Sequence, residues 1–346
     1  MKAAVLRGIR KVVIEERPVP EPGPGELRLR VTCVGVCGSD VHYYAHGRIG
    51  DQVVRGPHVT GHEFAGVVEK TGPGVDWPLV GTRVAVEPGI NCGRCERCIT
   101  GHPNQCPNVV FYGTPPVQGA FAEYVCHPAR LVYPVPDSLT DEDAAVLEPL
   151  GIGIHSVRRT RVDLGDSVAI FGCGPVGLLT LQCARAAGAS RIFATDLHER
   201  RLELARRMGA EQTRVASAGG VPEWIKELTD GRGVDAAFDC AGVQATVDDC
   251  IASARIGGRV GLVGIPREDR VSFAIHVARR KELDLVNVRR SRFTVEAGLA
   301  MARAGQVDLR SLVTHRFRLD EIARAFELVD TYGDGVVKAM IRVSGA

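Results

Sequence analysis

The chain has 346 residues, 45% of them hydrophobic, 24% charged and 5% aromatic, with 43 Lys plus Arg against 41 Asp plus Glu. That length exceeds one comfortable core and predicts two domains, while ordinary globular usage argues against disorder. The near-cancellation of charge leaves no global field to recruit nucleic acid or an anionic membrane. No run approaches a membrane span or a signal peptide, so a cytoplasmic protein is expected, with the Arg158/Arg159 and Arg279/Arg280 pairs on solvated helix faces.

Residues 1–13 alternate like a strand. Up to about residue 150 the chain is rich in Gly and Pro and short of helical periodicity. Brief β-branched runs at 27–31, 64–69, 83–86 and 122–125 predict an all-β region of short strands and long loops. From about 152 the rhythm changes to strand, turn, helix. Strands are predicted at 167–171, 191–195, 213–215, 235–239, 259–263 and 283–288, with helices such as 176–187 and 199–208 between them. Six strands alternating with helices predict a parallel doubly wound sheet, because parallel neighbours need a crossover. After about 289 come a helical stretch, 295–304, and a strand-like tail, 336–343, expected to rejoin the first region and leave a cleft between the two domains.

The first of the six strands runs into Gly172-Cys173-Gly174-Pro175-Val176-Gly177 and then an apolar helix. This is G-x-G-x-x-G between a strand and a helix, where a pyrophosphate can rest on the helix N-terminus. The next strand ends in Asp196, a carboxylate placed to accept hydrogen bonds from ribose hydroxyls and to repel a 2′-phosphate, so NAD is expected rather than NADP. Val263 and Gly264, where the fifth strand ends, are assigned to the same cofactor site.

Eleven cysteines in a chain without an export signal direct attention to metal rather than disulfides. Cys92, Cys95, Cys98 and Cys106 read C-x2-C-x2-C-x7-C, a set of four thiolates that can close a tetrahedral shell around a structural Zn²⁺. Free loop thiols are the bland alternative. A catalytic zinc needs about three protein ligands and an open position. Cys37, His62 with Glu63, and Glu148 are candidates, although spacing alone does not join them.

On these residues the chain resembles the zinc-containing medium-chain dehydrogenase/reductase superfamily, and within it the sorbitol (L-iditol) and xylitol dehydrogenases. The resemblance covers essentially the whole chain. It is carried by Gly61-His62-Glu63-x2-Gly66-x5-Gly72, Cys37-Gly38-Ser39-Asp40-Val41-His42-Tyr43-Tyr44 followed by Gly47-Arg48-Ile49-Gly50, Glu148-Pro149-Leu150, the cysteine cluster, and Leu312-Val313-Thr314-His315-Arg316-Phe317. It implies a GroES-like catalytic domain over 1–151, a Rossmann NAD-binding domain over 152–288 and a return to the catalytic domain over 289–346. It also implies that Cys37, His62 and Glu148 ligate or line the catalytic zinc, with Glu63 as alternate ligand or neighbour. Asp40 would orient the imidazole, Ser39 and His42 would relay the alcohol proton outward, and Arg201 would lie by the adenosine. Two zinc ions per chain and a homo-oligomer, a tetramer before a dimer, complete the implication.

The activity so implied is oxidation of a secondary hydroxyl of a polyol to a ketose by hydride transfer to NAD. In a gapless reading the family's Phe-Arg-Tyr segment falls on Arg289-Arg290-Ser291, so Arg290 keeps the substrate-binding guanidinium while Phe and Tyr are lost; Tyr43 is the other expected pocket residue. A different polyol preference follows, with sorbitol itself a poor substrate. L-Threonine 3-dehydrogenase or another secondary-alcohol dehydrogenase is the alternative within the superfamily. A zinc-ribbon interaction module and a zinc-free quinone reductase are the alternatives outside this zinc branch.

Overall fold

The structure is a computed structural model describing residues 1–343. It divides into two units: Met1–Glu148, Val295–Arg303 and the segment from Leu309 onward form the first, and Pro149–Thr294 with Ala304–Asp308 the second.

The first unit opens with an antiparallel hairpin, β1 (Lys2–Gly8) and β2 (Lys11–Glu16), where one strand was expected. The turn escapes a sequence reading because Arg10, not a glycine, takes the left-handed conformation, at φ 56°. Next come β3 (Glu26–Gly35) and helix α1 (Gly38–His46). This helix was not predicted, yet its end signals are physical. The Asp40 carboxylate accepts the Cys37 N–H at its start, and Gly47 closes it at φ 72°. The short pair β4 (Arg48–Ile49) and β5 (Gln52–Val53) precedes β6 (Glu63–Thr71) and β7 (Arg83–Val86). Another short pair, β8 (Gly89–Ile90) and β9 (Val110–Phe111), brackets the cysteine lobe with its one-turn helix α2 (Glu96–Ile99). The strand expected at 122–125 is β10 (Tyr124–Pro128), followed by β11 (Val132–Pro134).

A 20-residue helix, α3 (Asp141–Thr160), also went unpredicted, because Pro149, Gly151 and Gly153 inside it read as breakers. It carries its own start signal, since Thr140 N–H donates to Asp143 at 2.8 Å and Asp143 N–H donates to Thr140 Oγ1 at 3.1 Å. Three acids in its first turn and Arg158/Arg159 in its last, both exposed, suit the helix dipole.

The second unit carries β12 (Ser167–Phe171), α4 (Pro175–Ala186), β13 (Arg191–Asp196), α5 (Glu199–Arg207), β14 (Gln212–Val215), α6 (Val221–Leu228), β15 (Val234–Asp239), α7 (Gln244–Ser253), β16 (Ala254–Leu262), α8 (Ile275–Arg280) and β17 (Asp284–Asn287). Six parallel strands lie in the order β14-β13-β12-β15-β16-β17, the doubly wound sheet that was expected. Central β12 and β15 are buried throughout, whereas the edge strands β14 and β17 are only partly covered. The fifth strand begins five residues before the expected 259, with a register irregularity against Val234/Ala236.

The chain then adds α9 (Val295–Arg303), β18 (Val313–Arg318), α10 (Ile322–Asp330) and β19 (Lys338–Arg342) to the first unit. Strand β19 pairs antiparallel with β3, completing a seven-stranded sheet of order β11-β7-β6-β3-β19-β18 with β10 also on β3. Its core gathers Val5, Leu29, Phe64, Phe121 and Phe326, all 1% exposed or less. Among the described residues no helix is long and apolar enough to cross a membrane.

Candidate functional site

The sulfur atoms of Cys92, Cys95, Cys98 and Cys106 all lie within 4.8 Å of one another, with Cys95 3.5 Å from Cys98 and 3.8 Å from Cys106. A tetrahedron of Zn–S bonds of about 2.3 Å has S···S edges of roughly 3.8 Å, so the lobe fits the metal read from its spacing. Gly93 and Gly101, at φ 71° and 78°, make the turns that fold the thiols back. Backbone N–H groups of Arg94 and Cys95 hold the Cys92 thiol down to about 6, while burial and its sulfur neighbours push Cys98 up to about 12.

A second set brings Cys37, His62 and Glu63 within the same 4.8 Å. Cys37 is the N-cap of α1, and Glu63 opens β6 directly after His62. One buried carboxylate fastens both segments: Asp40 Oδ2 accepts Cys37 N–H and Oδ1 accepts Gly61 N–H, each at 2.9 Å. Its Oδ1 is 3.7 Å from His62 Nδ1, so it acts on the imidazole through charge and on the backbone through hydrogen bonds. Gly61 cannot be replaced cheaply, since its φ is 95° and a Cβ there would meet the Phe121 ring at 2.8 Å.

Glu148 lies outside this ligand group. Burial raises its carboxyl to about 8, with His62 opposing and Glu63 and Cys37 reinforcing the shift, so it is close enough to share their field. Burial likewise pushes the Cys37 thiol up to about 12. A soft thiol, an imidazole and a carboxylate suit zinc with one position left open. Ser39 hydrogen-bonds the Cys37 thiol. His42 and His46 sit one turn apart on α1, ring centroids 5.9 Å apart. Tyr43 is 3% exposed and donates from its hydroxyl to Gln52 Oε1 at 3.2 Å.

Lys338 was not anticipated. On β19 it is 2% exposed, with Nζ 2.5 Å from Glu63 Oε2 and 3.1 Å from the Val36 carbonyl. Removing one partner of such a buried pair costs about 3–5 kcal/mol. The available signal was a lysine inside the apolar run Val336-Val337-Lys338-Ala339-Met340-Ile341.

In the second unit the glycine motif occupies the point where strand order reverses between β12 and β15. Gly172 turns at φ 98° against Ala241, and a Cβ on Gly177 would overlap the Gly172 carbonyl oxygen. Gly174 is the N-cap of α4 and Pro175 and Val176 begin it; a Cβ on Gly174 would meet nothing within 4 Å. At the end of β13, Asp196 Oδ2 accepts Cys173 N–H at 2.7 Å and Oδ1 accepts His198 N–H at 2.9 Å. Arg201, 8% exposed, brings Nη1 to 3.8 Å from Asp196 Oδ2. Val263 and Gly264 follow β16, both donating to the Asp239 carbonyl, with Gly264 packed on Gly242. Arg290 follows β17 at φ 56°.

Comparisons with known proteins agree with this geometry. Residues 23–137 match the alcohol dehydrogenase GroES-like domain, and residues 175–303 the zinc-binding dehydrogenase family. The chain is 41% identical over 341 residues to sorbitol dehydrogenase of Bacillus subtilis strain 168, spanning 99% of this chain and 97% of that one. A zinc-binding dehydrogenase of Sinorhizobium meliloti 1021 bound to NADP superposes with a TM-score of 0.89 at 31% identity, over 99% of this chain and 98% of that one. The rspB alcohol dehydrogenase of Escherichia coli CFT073 complexed with NADH gives 0.91 at 28% identity, over 99% of each. With thiolate lobe, Cys-His-Glu set and dinucleotide cradle all in one chain, the protein belongs to the zinc-containing medium-chain dehydrogenase/reductase superfamily, near its sorbitol dehydrogenases, and is an oxidoreductase linked to zinc and a nicotinamide dinucleotide.

Proposed function

We propose that the protein oxidises a secondary hydroxyl of a polyol to a ketose with NAD as hydride acceptor, and that each chain holds one structural and one catalytic zinc. The observation that carries this is the Cys37-His62-Glu63 set in a chain 41% identical, over nearly its full length, to a sorbitol dehydrogenase. Similarity to D-xylulose reductases favours polyols over the L-threonine alternative. When bound, zinc supplies Lewis-acid polarisation of a substrate hydroxyl and NAD accepts the hydride.

The chain's own residues do the rest. Cys37, His62 and Glu63 hold the metal, with Glu148 a buried acid beside them. Asp40 keeps the two ligand segments in register, and Ser39 and His42 take the alcohol's proton outward. Gly172, Gly174 and Gly177 let a pyrophosphate approach the N-terminus of α4, and Asp196 receives the ribose while disfavouring a 2′-phosphate. Tyr43, in the first unit, and Arg290, in the second, are each assigned to polyol recognition. The protein works as a homo-oligomer in the cytoplasm. Strand β17, at the end of its sheet with exposed Phe273 and Ile275 on the preceding segment, supports association of copies.

The test is NAD reduction across sorbitol, xylitol, other polyols, monohydric secondary alcohols and L-threonine at matched concentrations. Fastest turnover on a polyol is expected. A higher kcat/KM for L-threonine than for every polyol would overturn the assignment.

A further inference from the structure

Four groups able to carry negative charge crowd one end of the first unit: the Cys37 thiol, Asp40, Glu63 and Glu148, each acting electrostatically on its neighbours. Lys338 is the buried ammonium among them. It arrives from the far end of the chain, 275 residues from Glu63, on a strand whose pairing with β3 fixes its height beside Val36. Its Nζ spans the Glu63 carboxylate at 2.5 Å and the Val36 carbonyl at 3.1 Å. Gly35, the register partner of Glu63, lies against the same carboxylate oxygen, where a Cβ would overlap Oε2. That oxygen thus meets both the ammonium and the space a glycine leaves free. Only one of the carboxylate's oxygens is committed to the ion pair. Lys338 attracts Glu148 as well, but makes its hydrogen-bonded ion pair with Glu63, and Glu148 stands outside the ligand group.

We propose that Lys338 is a positioning residue: it assigns metal ligation to Glu63 rather than Glu148 and assembles the Cys37-His62-Glu63 set before a metal arrives. The inference rests on reading that set as a metal centre. Without the ammonium, the carboxylate and thiol repel across a buried space and Glu63 is free to turn away. A ligand's supporting partner of this type is worth about 10–100-fold in metal affinity.

The experiment follows zinc release from the purified zinc-loaded enzyme to a colorimetric chelator, without reference to turnover. Wild type should release one zinc quickly and a second, held by four thiolates, slowly; a single zinc in one slow phase would remove the metal-centre reading itself. Lys338→Met should speed the first phase by about 10–100-fold and leave the second unchanged, the second phase reporting an intact fold. Lys338→Arg should return the first phase toward wild type. Glu148→Gln should do little alone but accelerate release further in the Lys338→Met background, where Glu148 substitutes for Glu63. An unchanged first phase in Lys338→Met would overturn the proposal. Should Lys338→Met release both metals together, Lys338→Arg decides: restored release supports the proposal, and equally fast release of the first zinc overturns it.

Discussion

Gly177→Ala and Gly174→Ala separate two jobs that adjacent glycines perform in the dinucleotide cradle. A Cβ at 177 overlaps the Gly172 carbonyl oxygen, so strand end and helix start must part by roughly 1 Å or more in an interior packed at near-crystal density. Such overpacking costs about 1–3 kcal/mol. At about 2–4 °C per kcal/mol for units of this size, the melting temperature should fall by several degrees. The turn that presents the first N–H groups of α4 opens with it, and losing even about 1.4 kcal/mol of binding energy weakens NADH tenfold. At 174 a Cβ meets nothing within 4 Å, and φ −67° suits alanine, so the free protein should melt like wild type. The methyl group instead stands where a pyrophosphate must come close to backbone, so affinity should drop without loss of stability. Fluorescence titration with NADH and thermal unfolding of the cofactor-free protein read the two effects. Wild-type affinity and melting in Gly177→Ala would refute the steric argument, and a large fall in melting temperature for Gly174→Ala would refute the division of labour.

Asp196→Ser should weaken NAD and improve NADP, because it removes the carboxylate that repels a 2′-phosphate; kcat/KM for both cofactors checks it, and an unchanged ratio would count against Asp196 as discriminator. Arg290→Ala should lower kcat/KM for a polyol by roughly 10–100-fold and spare a monohydric secondary alcohol, while equal losses would make Arg290 structural. Asp235, with its side chain 8% exposed, meets Arg232 at 2.7 Å, Arg255 at 2.6 Å and Ser167 Oγ at 2.8 Å. Burial alone would raise its pKa, but these partners outweigh it and hold the carboxyl well below the usual carboxylate range. A depressed folded value means its stabilisation is fully present above the ordinary Asp value of about 3.9 and fades as pH falls toward the folded one. Asp235→Asn should therefore cost about 2–4 kcal/mol in urea melts at pH 7, with the gap narrowing below about pH 4; a gap independent of pH would contradict the charge-based account.

Features written in contiguous residues were legible before the structure. The strand-glycine-helix run at 167–187 and the four cysteines within 92–106 each contain their own reason for folding as they do. Elements whose signals borrow residues from elsewhere were not. Helix α1 is capped by Asp40, whose second oxygen is committed to Gly61, and α3 tolerates Pro149, Gly151 and Gly153, with Gly151 packed on Ser291 and Thr294 and Gly153 on Leu179. The buried pairing of Glu63 with Lys338 likewise joins residues that no local pattern connects. Resemblance names the candidates, and packing brings Cys37, His62 and Glu63 together.

Zinc content measured alongside chelation tests the two-metal, zinc-dependent account most directly. Fully active protein should contain two zinc ions per chain. Mild chelation should remove one, abolishing polyol-dependent NAD reduction while the fold and the four-thiolate metal remain, because the closed thiolate shell offers a chelator no free position. Full activity with a single zinc per chain, held by Cys92, Cys95, Cys98 and Cys106, would contradict it.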